Sequence, residues 1–218
     1  MPDRPPLPPE LTDTGVVAIA RAASTERVAA AVETLVASGV TCVELTMTMP
    51  DAVESIAYLA KTLGDDACVG AGTVLTVDQA RACIAAGAKF LVAPSSVPDV
   101  VEFATGSGVP CLPGALTPSE IVAAWLSGAA AVKVFPASVG GPRYLRDVRA
   151  PLPDIPLIPT GGVAIDDVPH YLAAGAVAVG LGSPLFGDAL ADGDLAALAE
   201  RAKRLIRAVQ VAREGRQV

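Results

Sequence analysis

The sequence predicts an α/β protein that folds as a single (β/α)8 barrel, the TIM-barrel architecture, and three observations support this. Eight short strand candidates alternate with helical stretches along the chain. Most of these candidates are continuous apolar runs, which are typical of parallel strands covered on both faces. The chain has 218 residues, and roughly 200–250 residues are typical of a compact barrel of this kind.

Glycines mark the points where the predicted helices end and the following strands begin. Glycine just past a helix can adopt the left-handed backbone conformation that closes the last turn. The spacing of these glycines matches one or two strand–helix units with short loops. The marked positions are Gly39, Gly87, Gly108, Gly128 and Gly175.

The strand and helix candidates follow from apolar patterns and capping residues. The predicted strands are 16–20, 42–47, 68–73, 90–94, 111–115, 131–136, 157–161 and 176–182. Helix starts are indicated by Thr76-Val-Asp-Gln79 and by Thr117-Pro-Ser-Glu120, which combines an N-cap, a proline at the first helical position and a capping-box glutamate. An open doubly wound sheet is the alternative, but no Gly-x-Gly-x-x-Gly motif follows the first strand.

The amino-terminal residues and the lengths of the apolar runs indicate the domain organisation and the cellular location. Residues 1–13 are rich in proline and are predicted to form a loose arm, whereas residues 14–218 form the barrel domain. The arm does not resemble a signal peptide, and the apolar stretch 16–20 is shorter than the roughly 7–15 residues of a secretory signal. No apolar run approaches the roughly 20 residues that cross a bilayer. We therefore expect a cytoplasmic protein that does not contact membranes.

Charge and potential metal ligands narrow the classes of partner. The net charge of −7 argues against nucleic acid, whose phosphates require clustered lysine and arginine. The four cysteines stand far apart and the single histidine, His170, falls in a predicted helix, so neither a metal site nor another cofactor is expected. An anionic ligand would need a local positive pocket, because the overall field of the protein repels it.

Lys133 is the strongest candidate for chemistry. Of the four lysines, it alone lies inside a predicted strand, in Ala130-Ala-Val-Lys-Val-Phe-Pro136. Burial disfavours the ammonium form, so the neutral amine becomes available as a nucleophile. The structural alternative is a lysine whose stem packs while its ammonium group reaches solvent or pairs with a carboxylate.

Glu44 is a second charged residue in the middle of a predicted strand. A carboxylate buried there needs a partner, because burying an unpaired charge is costly. As a functional residue, Glu44 would be the proton shuttle that amine chemistry on a ketone requires. As a structural residue, it would form an ion pair with Lys133 or Arg21. Both interpretations place Glu44 opposite Lys133.

Glycine-rich segments follow the last two predicted strands. Thr160-Gly-Gly162 follows the seventh strand and Gly180-Leu-Gly-Ser183 follows the eighth. Loops at these positions commonly bind phosphate in this fold, because glycine lets backbone N–H groups approach an anion closely. The alternative is that the glycines only form turns. Gly70-Ala-Gly-Thr73 ends the third strand with a hydroxyl, and Arg21, directly after the first strand, supplies local positive charge.

Several of these segments together resemble one known family. The similarity runs from about residue 15 to beyond residue 205. Its segments, in order, are Glu44-Leu-Thr, Gly70-Ala-Gly-Thr-Val-Leu75, Ala93-Pro94, Pro113-Gly114, Lys133-Val-Phe-Pro136 and Pro159-Thr-Gly-Gly162. They resemble the 2-keto-3-deoxy-6-phosphogluconate / 4-hydroxy-2-oxoglutarate aldolases, which are class I, Schiff-base enzymes.

The resemblance implies a role for each matching position. Lys133 corresponds to the Schiff-base lysine, Glu44 to the general acid/base, and Thr73 to a hydroxyl that contacts the pyruvate carboxylate. The remaining positions bind substrate: Pro94 and Phe135 line the pocket, and Thr160, Gly161, Gly162 and Ser183 lie in the segments that hold the phosphate. The family also implies a metal-free homotrimer that needs no cofactor.

One position departs from part of the family. Some members carry an arginine four residues after the catalytic glutamate, where it binds an anionic end of the substrate, whereas this chain has Thr48. Other members have a small residue there and an arginine closing the first strand, as Arg21 does. We assign anion binding to Arg21, and which anionic end it holds stays open.

The implied reaction is cleavage of 2-keto-3-deoxy-6-phosphogluconate to pyruvate and glyceraldehyde 3-phosphate. Cleavage of 4-hydroxy-2-oxoglutarate to pyruvate and glyoxylate, and action on the galactonate epimer, stay open. Two other barrel enzymes are disfavoured, since a ribulose-phosphate-type epimerase needs histidine and aspartate metal ligands and a thiamine-phosphate-type synthase needs magnesium-binding carboxylates. A barrel that binds a keto acid or phosphate without catalysis is the remaining alternative, and the pairing of Lys133 with Glu44 argues against it.

Overall fold

The computed structural model of the chain describes residues 4–215 and alternates parallel strands with helices. The strands are β1 Val16–Ala20, β2 Cys42–Thr46, β3 Cys68–Gly72, β4 Leu91–Val92, β5 Cys111–Leu112, β6 Gly114–Ala115, β7 Val132–Val134, β8 Leu157–Pro159 and β9 Val179–Leu181. The helices are α1 Pro9–Thr14, α2 Val28–Ala37, α3 Ala52–Leu63, α4 Val77–Ala85, α5 Pro98–Gly106, α6 Pro118–Leu126, α7 Gly141–Arg149, α8 Val168–Ala173, α9 Ser183–Phe186 and α10 Leu195–Glu214.

The strands form two parallel sheets that meet at two points. One sheet has the order β5-β4-β3-β2-β1-β9, and the other has the order β6-β7-β8. Only Pro113 separates β5 from β6, and its carbonyl accepts a hydrogen bond of 3.0 Å from Lys133 N. At the other side, Thr160 and Gly180 form a parallel bridge. The fold is therefore an α/β fold whose parallel sheet curves as a half-barrel.

All eight predicted strands contain observed strands, although most are shorter than predicted. The first prediction, 16–20, coincides with β1, whereas the segment 111–115 is split into β5 and β6. The split occurs at Pro113, where the chain stops pairing with β4 and begins pairing with β7. The five predicted helix-end glycines all have positive φ, between 73° and 105°, and the Thr117–Glu120 capping box is present. These predictions are confirmed.

Alternate residues of the strands point to two different layers. Outward-facing residues such as Val43 and Leu45 pack against the helices in a large apolar cluster. Inward-facing residues such as Cys42 and Ala131 form a second, smaller cluster. Because side chains alternate along a strand, a residue two positions further on shares the same face. Glu44 lies two residues after Cys42, and Lys133 lies two residues after Ala131, so the side chains of Glu44 and Lys133 both point into the interior.

The expected loose arm is wrong for residues 4–13, the part that the structure describes. Residues Pro9–Thr14 form α1, and Leu11 is fully buried in the inward-facing cluster. Arg213 of α10 donates hydrogen bonds to the carbonyls of Thr12 and Asp13. Arg4 donates to Trp125 O at 2.8 Å and stacks on the Trp125 ring. Proline is compatible with a first helical position, so a proline-rich segment can still start a helix. Met1–Asp3 lie outside the described residues.

Candidate active site

A cavity of about 490 Å³ opens at the carboxyl ends of the strands. It is lined mainly by residues at the ends of β1, β7, β8 and β9 and by the segments that follow them. Seven of the ten predicted site residues line it: Arg21, Lys133, Phe135, Thr160, Gly161, Gly162 and Ser183. The loops that the sequence predicted to bind an anion therefore surround the predicted nucleophile.

Lys133 and Glu44 face each other across the interior, on β7 and β2. Their side chains are 8% and 2% exposed, and Lys133 Nζ lies 4.0 Å from Glu44 Oε1. This distance is too long for a direct hydrogen bond, and Glu44 Oε1 is buried with no hydrogen-bond partner among the described residues. A small interior cavity is lined by both residues and by Thr160. An acceptor without a partner is thus held beside the amine.

The Glu44 carboxylate occupies space that Gly72 leaves open. A Cβ atom at Gly72 would lie 2.9 Å from Glu44 Cδ and closer still to Oε1. Burial raises the pKa of Glu44 above its ordinary value, and the positive charges of Lys133 and Arg21 partly lower it again. A carboxyl group with a raised pKa is suited to exchanging protons near neutral pH. The position of Glu44 therefore depends on a glycine in the neighbouring strand.

Phe135 forms the outer wall of the cavity beside the amine. Its ring centroid lies 5.2 Å from Lys133 Nζ, and the side chain is partly exposed to the cavity. A Cβ atom at Gly161 would lie 2.8 Å from the ring, so the glycine permits the ring to lie against the backbone. Gly161 and Gly162 have φ values of 87° and 76°, a region that favours glycine. This loop consequently presents backbone rather than side chain to the cavity.

Thr73 and Pro94 do not line the cavity as the structure describes it. Thr73 directly follows β3 and Pro94 comes two residues after the end of β4, at the same end of the sheet, and both are half-buried. Thr73 has a φ of 60°, which is uncommon for a residue other than glycine. The Pro94 backbone packs against Gly114, because a Cβ atom at Gly114 would overlap the Pro94 carbonyl group and lie 2.7 Å from Ser95 N. Their predicted contacts with substrate stay predictions.

The sequence interpretation missed several residues around the cavity. Asp188 and Leu190 line it from the loop after α9, and Ile19 lines it from β1. The segment 187–193 reads as an ordinary polar turn, and no motif distinguished it. The sequence identifies Gly72 only as part of a glycine-rich strand end. Its close approach to Glu44 arises from the packing of β2 beside β3, which no local pattern reveals.

Two features of the described residues concern membranes and metals. Between residues 4 and 215, no helix is long and apolar enough to span a bilayer. The same part of the chain contains no cluster of three or more histidine, cysteine, aspartate or glutamate residues suited to a metal ion.

Comparison with known proteins relates the chain to sugar-acid aldolases. The family model described as KDPG and KHG aldolase matches residues 9–200. A probable 2-dehydro-3-deoxy-6-phosphogalactonate aldolase of Rhizobium meliloti is 36% identical over 194 residues, which cover 88% of this chain and 91% of that protein. A 2-dehydro-3-deoxy-phosphogluconate aldolase of Treponema pallidum is 39% identical over 140 residues, which cover 64% of this chain and 66% of that protein.

A solved structure supports the same relation. The KDPG aldolase of Legionella pneumophila, with pyruvate captured as a covalent carbinolamine intermediate, superposes with a TM-score of 0.83 at 26% identity. The match covers 91% of this chain and 98% of that one. The similarity therefore extends over nearly all of both chains.

Proposed function

Because the chain belongs to the KDPG and KHG aldolase family and is therefore a carbon–carbon lyase, we propose that it cleaves 2-keto-3-deoxy-6-phosphogluconate to pyruvate and glyceraldehyde 3-phosphate. The observation that carries this proposal is the buried pair of Lys133 and Glu44, with 4.0 Å between Nζ and Oε1. An amine beside an unpaired carboxyl group, next to glycine loops suited to an anion, has the parts that a Schiff-base aldolase requires.

The reaction begins at the Lys133 amine. The neutral amine adds to the C2 ketone and loses water, which gives a protonated imine. The C3–C4 bond then breaks as the C4 hydroxyl loses its proton to Glu44, and the bonding electrons pass to the imine to form an enamine. Glyceraldehyde 3-phosphate leaves, Glu44 returns the proton to C3, and water hydrolyses the pyruvate imine. Covalent catalysis divides one difficult step into easier ones, and a positioned acid/base adds about 10²–10⁴-fold.

We assign the two ends of the substrate to different parts of the site. Gly161 and Gly162 present backbone to the cavity that the exposed Ser183 also lines, which supports phosphate binding there. Arg21 brings the positive charge that a protein of net charge −7 needs at an anion site. Phe135 lines the cavity beside the amine.

Three further assignments rest on the family and on position along the strands. Thr73 would donate its hydroxyl to the pyruvate carboxylate, and Pro94 would pack against the pyruvate unit. Thr160 is 4% exposed and lines the cavity, and as the first residue of the Thr160-Gly-Gly162 segment it would lie at the phosphate end of the substrate.

The galactonate epimer is the second candidate substrate. It is favoured by the 36% identity to a probable phosphogalactonate aldolase over nearly the whole chain. The two substrates differ in the configuration of one hydroxyl group, so retro-aldol rates on both purified phosphates separate them. 4-Hydroxy-2-oxoglutarate, which lacks a phosphate, should be a poorer substrate if the glycine loops contribute phosphate binding.

Trapping with borohydride tests the proposed Schiff base directly. The protein is incubated with pyruvate and sodium borohydride, and the modified peptide is located by mass spectrometry. We expect a permanent mass increase on Lys133, and we expect Lys133→Ala to lose both the adduct and turnover while keeping its fold. An unmodified lysine in active protein, or near-normal activity of the variant, would refute the role of Lys133. A protein that binds pyruvate without forming an adduct would be a non-catalytic binder.

We also propose a closed barrel, one catalytic domain and a trimer. The Thr160–Gly180 bridge and the single residue between β5 and β6 support closure of the two sheets into an eight-stranded barrel. Residues 14–218 would form the domain, with α1 packed on its amino-terminal end. The homotrimer follows from the family resemblance, and light scattering of the purified protein tests it. The cytoplasmic location stays an expectation from the sequence.

A further inference from the structure

One continuous segment forms almost half of the cavity wall. Of the nineteen residues that line the cavity, eight come from residues 182–191, so the position of this segment decides the shape of that side. We call residues 182–191 the wall segment. It contains α9 and the loop that follows, and it includes Ser183 and Asp188. Lys133 and Glu44 lie elsewhere, on β7 and β2.

Arg201 of α10 binds the wall segment without lining the cavity itself. Its Nε and Nη2 atoms each donate a hydrogen bond of 2.7 Å, to the carbonyls of Leu185 and Phe186. Gly187 has a φ of 57°, and a Cβ atom there would lie 2.9 Å from Arg201 Nη2. Gly187 thus lets the backbone turn at the end of α9 while it stays in contact with the guanidinium group. The guanidinium group in turn holds the end of α9 through the two carbonyls.

Arg27 binds the loop just beyond. It precedes α2 and donates hydrogen bonds to Ala189 O at 3.4 Å and to Gly193 O at 2.8 Å. Arg27 belongs to the same connection between β1 and α2 that carries Arg21, which lines the cavity after β1, the strand paired with β9. Arg27 therefore ties the loop after α9 to the connection between β1 and α2.

The choice of arginine has a physical reason. A guanidinium group is planar and presents several N–H donors in a fixed fork, so one side chain can hold two carbonyl groups at a set separation. Lysine offers a charge of the same sign on a flexible stem without that geometry. Both arginines are half-buried, and their four carbonyl partners are all main-chain atoms. Each arginine therefore fixes backbone and does not contact the cavity itself.

We propose that Arg27 and Arg201 are positioning residues for the phosphate end of the substrate. They hold the wall segment so that Ser183 keeps its place in the cavity that Gly161 also lines. This inference rests on the proposed aldolase function. Because Lys133 and Glu44 are outside the wall segment, loosening it weakens binding of the phosphorylated aldehyde and leaves pyruvate chemistry intact.

Aldol addition, the reverse of cleavage, takes pyruvate and glyceraldehyde 3-phosphate as separate substrates, so binding of each half can be measured independently. We would compare Arg201→Gln, Arg27→Gln and Arg201→Lys with the unmodified protein, and use Arg207→Gln as a matched control, since Arg207 is an exposed arginine on the same helix. The measurements are KM for glyceraldehyde 3-phosphate at saturating pyruvate, KM for pyruvate at saturating aldehyde, kcat, and borohydride trapping of pyruvate. Thermal unfolding of each variant establishes that it is folded.

We expect KM for glyceraldehyde 3-phosphate to rise about tenfold in both glutamine variants, the size of effect that loss of charged hydrogen bonds produces. KM for pyruvate and the extent of trapping should change by less than about twofold, a difference within the ordinary effect of surface substitutions. Unphosphorylated glyceraldehyde should react equally well with all variants. Arg201→Lys should behave like the glutamine variant, because it keeps the charge and loses the fork.

Each contrary result has a separate meaning. Equal increases in both KM values, or equal losses with glyceraldehyde and its phosphate, would show general damage and overturn the positioning role. Recovery in Arg201→Lys would show that charge alone is sufficient, which also overturns it. Unchanged KM values with normal trapping would refute the role of the arginines only. Absence of trapping in the unmodified protein would refute the Schiff-base function and this inference with it.

Discussion

Replacing Gly72 by alanine should remove most activity without unfolding the protein. The added Cβ atom would lie 2.9 Å from Glu44 Cδ and nearer to Oε1, so the carboxylate must move by about 1 Å to regain ordinary contact. A misplacement of this size in a catalytic group can cost about 100-fold in rate. The φ of Gly72 is not in the positive range, so alanine should add no backbone strain and the effect should come from the displaced carboxylate.

The assay is retro-aldol turnover, followed by coupling the released pyruvate to its reduction by NADH. We expect kcat to fall by about 100-fold, within the 10²–10⁴-fold range that a general acid/base contributes. Borohydride trapping of pyruvate on Lys133 should still occur, because the lysine itself is untouched. A moderate loss of stability of about 1–3 kcal/mol is expected from overpacking.

Gly70 offers a matched control in the same strand. A Cβ atom at Gly70 would also overlap a buried neighbour, but the three atoms nearest to it all belong to the Phe90 ring and none to Glu44. Gly70→Ala should therefore lose stability while its folded fraction keeps kcat near that of the unmodified protein. If Gly72→Ala retained kcat within about threefold, or if both variants lost activity equally, the placement of Glu44 by Gly72 would be refuted.

Two further predictions concern charge and the amino-terminal helix. Arg21 lowers the pKa of Glu44, so Arg21→Gln should raise that pKa further. The deprotonated carboxyl group takes the C4 proton, so the acidic limb of the kcat–pH profile should move to higher pH. An acidic limb at the same pH in the variant would contradict this prediction. Leu11 is fully buried, so Leu11→Ala should lower the free energy of unfolding by about 2–5 kcal/mol in urea denaturation; a loss below about 0.5 kcal/mol, typical of a surface substitution, would show that α1 contributes little.

Local patterns were sufficient for the strands and helix ends, because those depend on short-range properties. A continuous apolar run is needed wherever a strand is covered on both faces, and the left-handed turn that ends a helix favours glycine wherever the helix is. The same reasoning failed for residues 4–13. Their proline content suggested a loose arm, whereas burial of Leu11 and the hydrogen bonds from Arg213 to Thr12 and Asp13 hold them in place. Arg213 lies 200 positions beyond Asp13 in the chain, and the cluster that buries Leu11 draws its residues from several strands.

The order of residue types was enough to predict the alternating parallel α/β fold, the buried lysine and glutamate, and the glycine loops that follow the last strands. These follow from residue types in local order, since a charged side chain within an apolar run must face the interior or a partner. Three features became visible only in the folded chain: Gly72 makes room for Glu44, Oε1 lies 4.0 Å from Lys133 Nζ, and residues 182–191 form one side of the cavity wall. The physical reason is that these features depend on how segments distant in the chain pack together. Packing sets the distances between strands and decides which carbonyls Arg27 and Arg201 bind, and no local pattern encodes it.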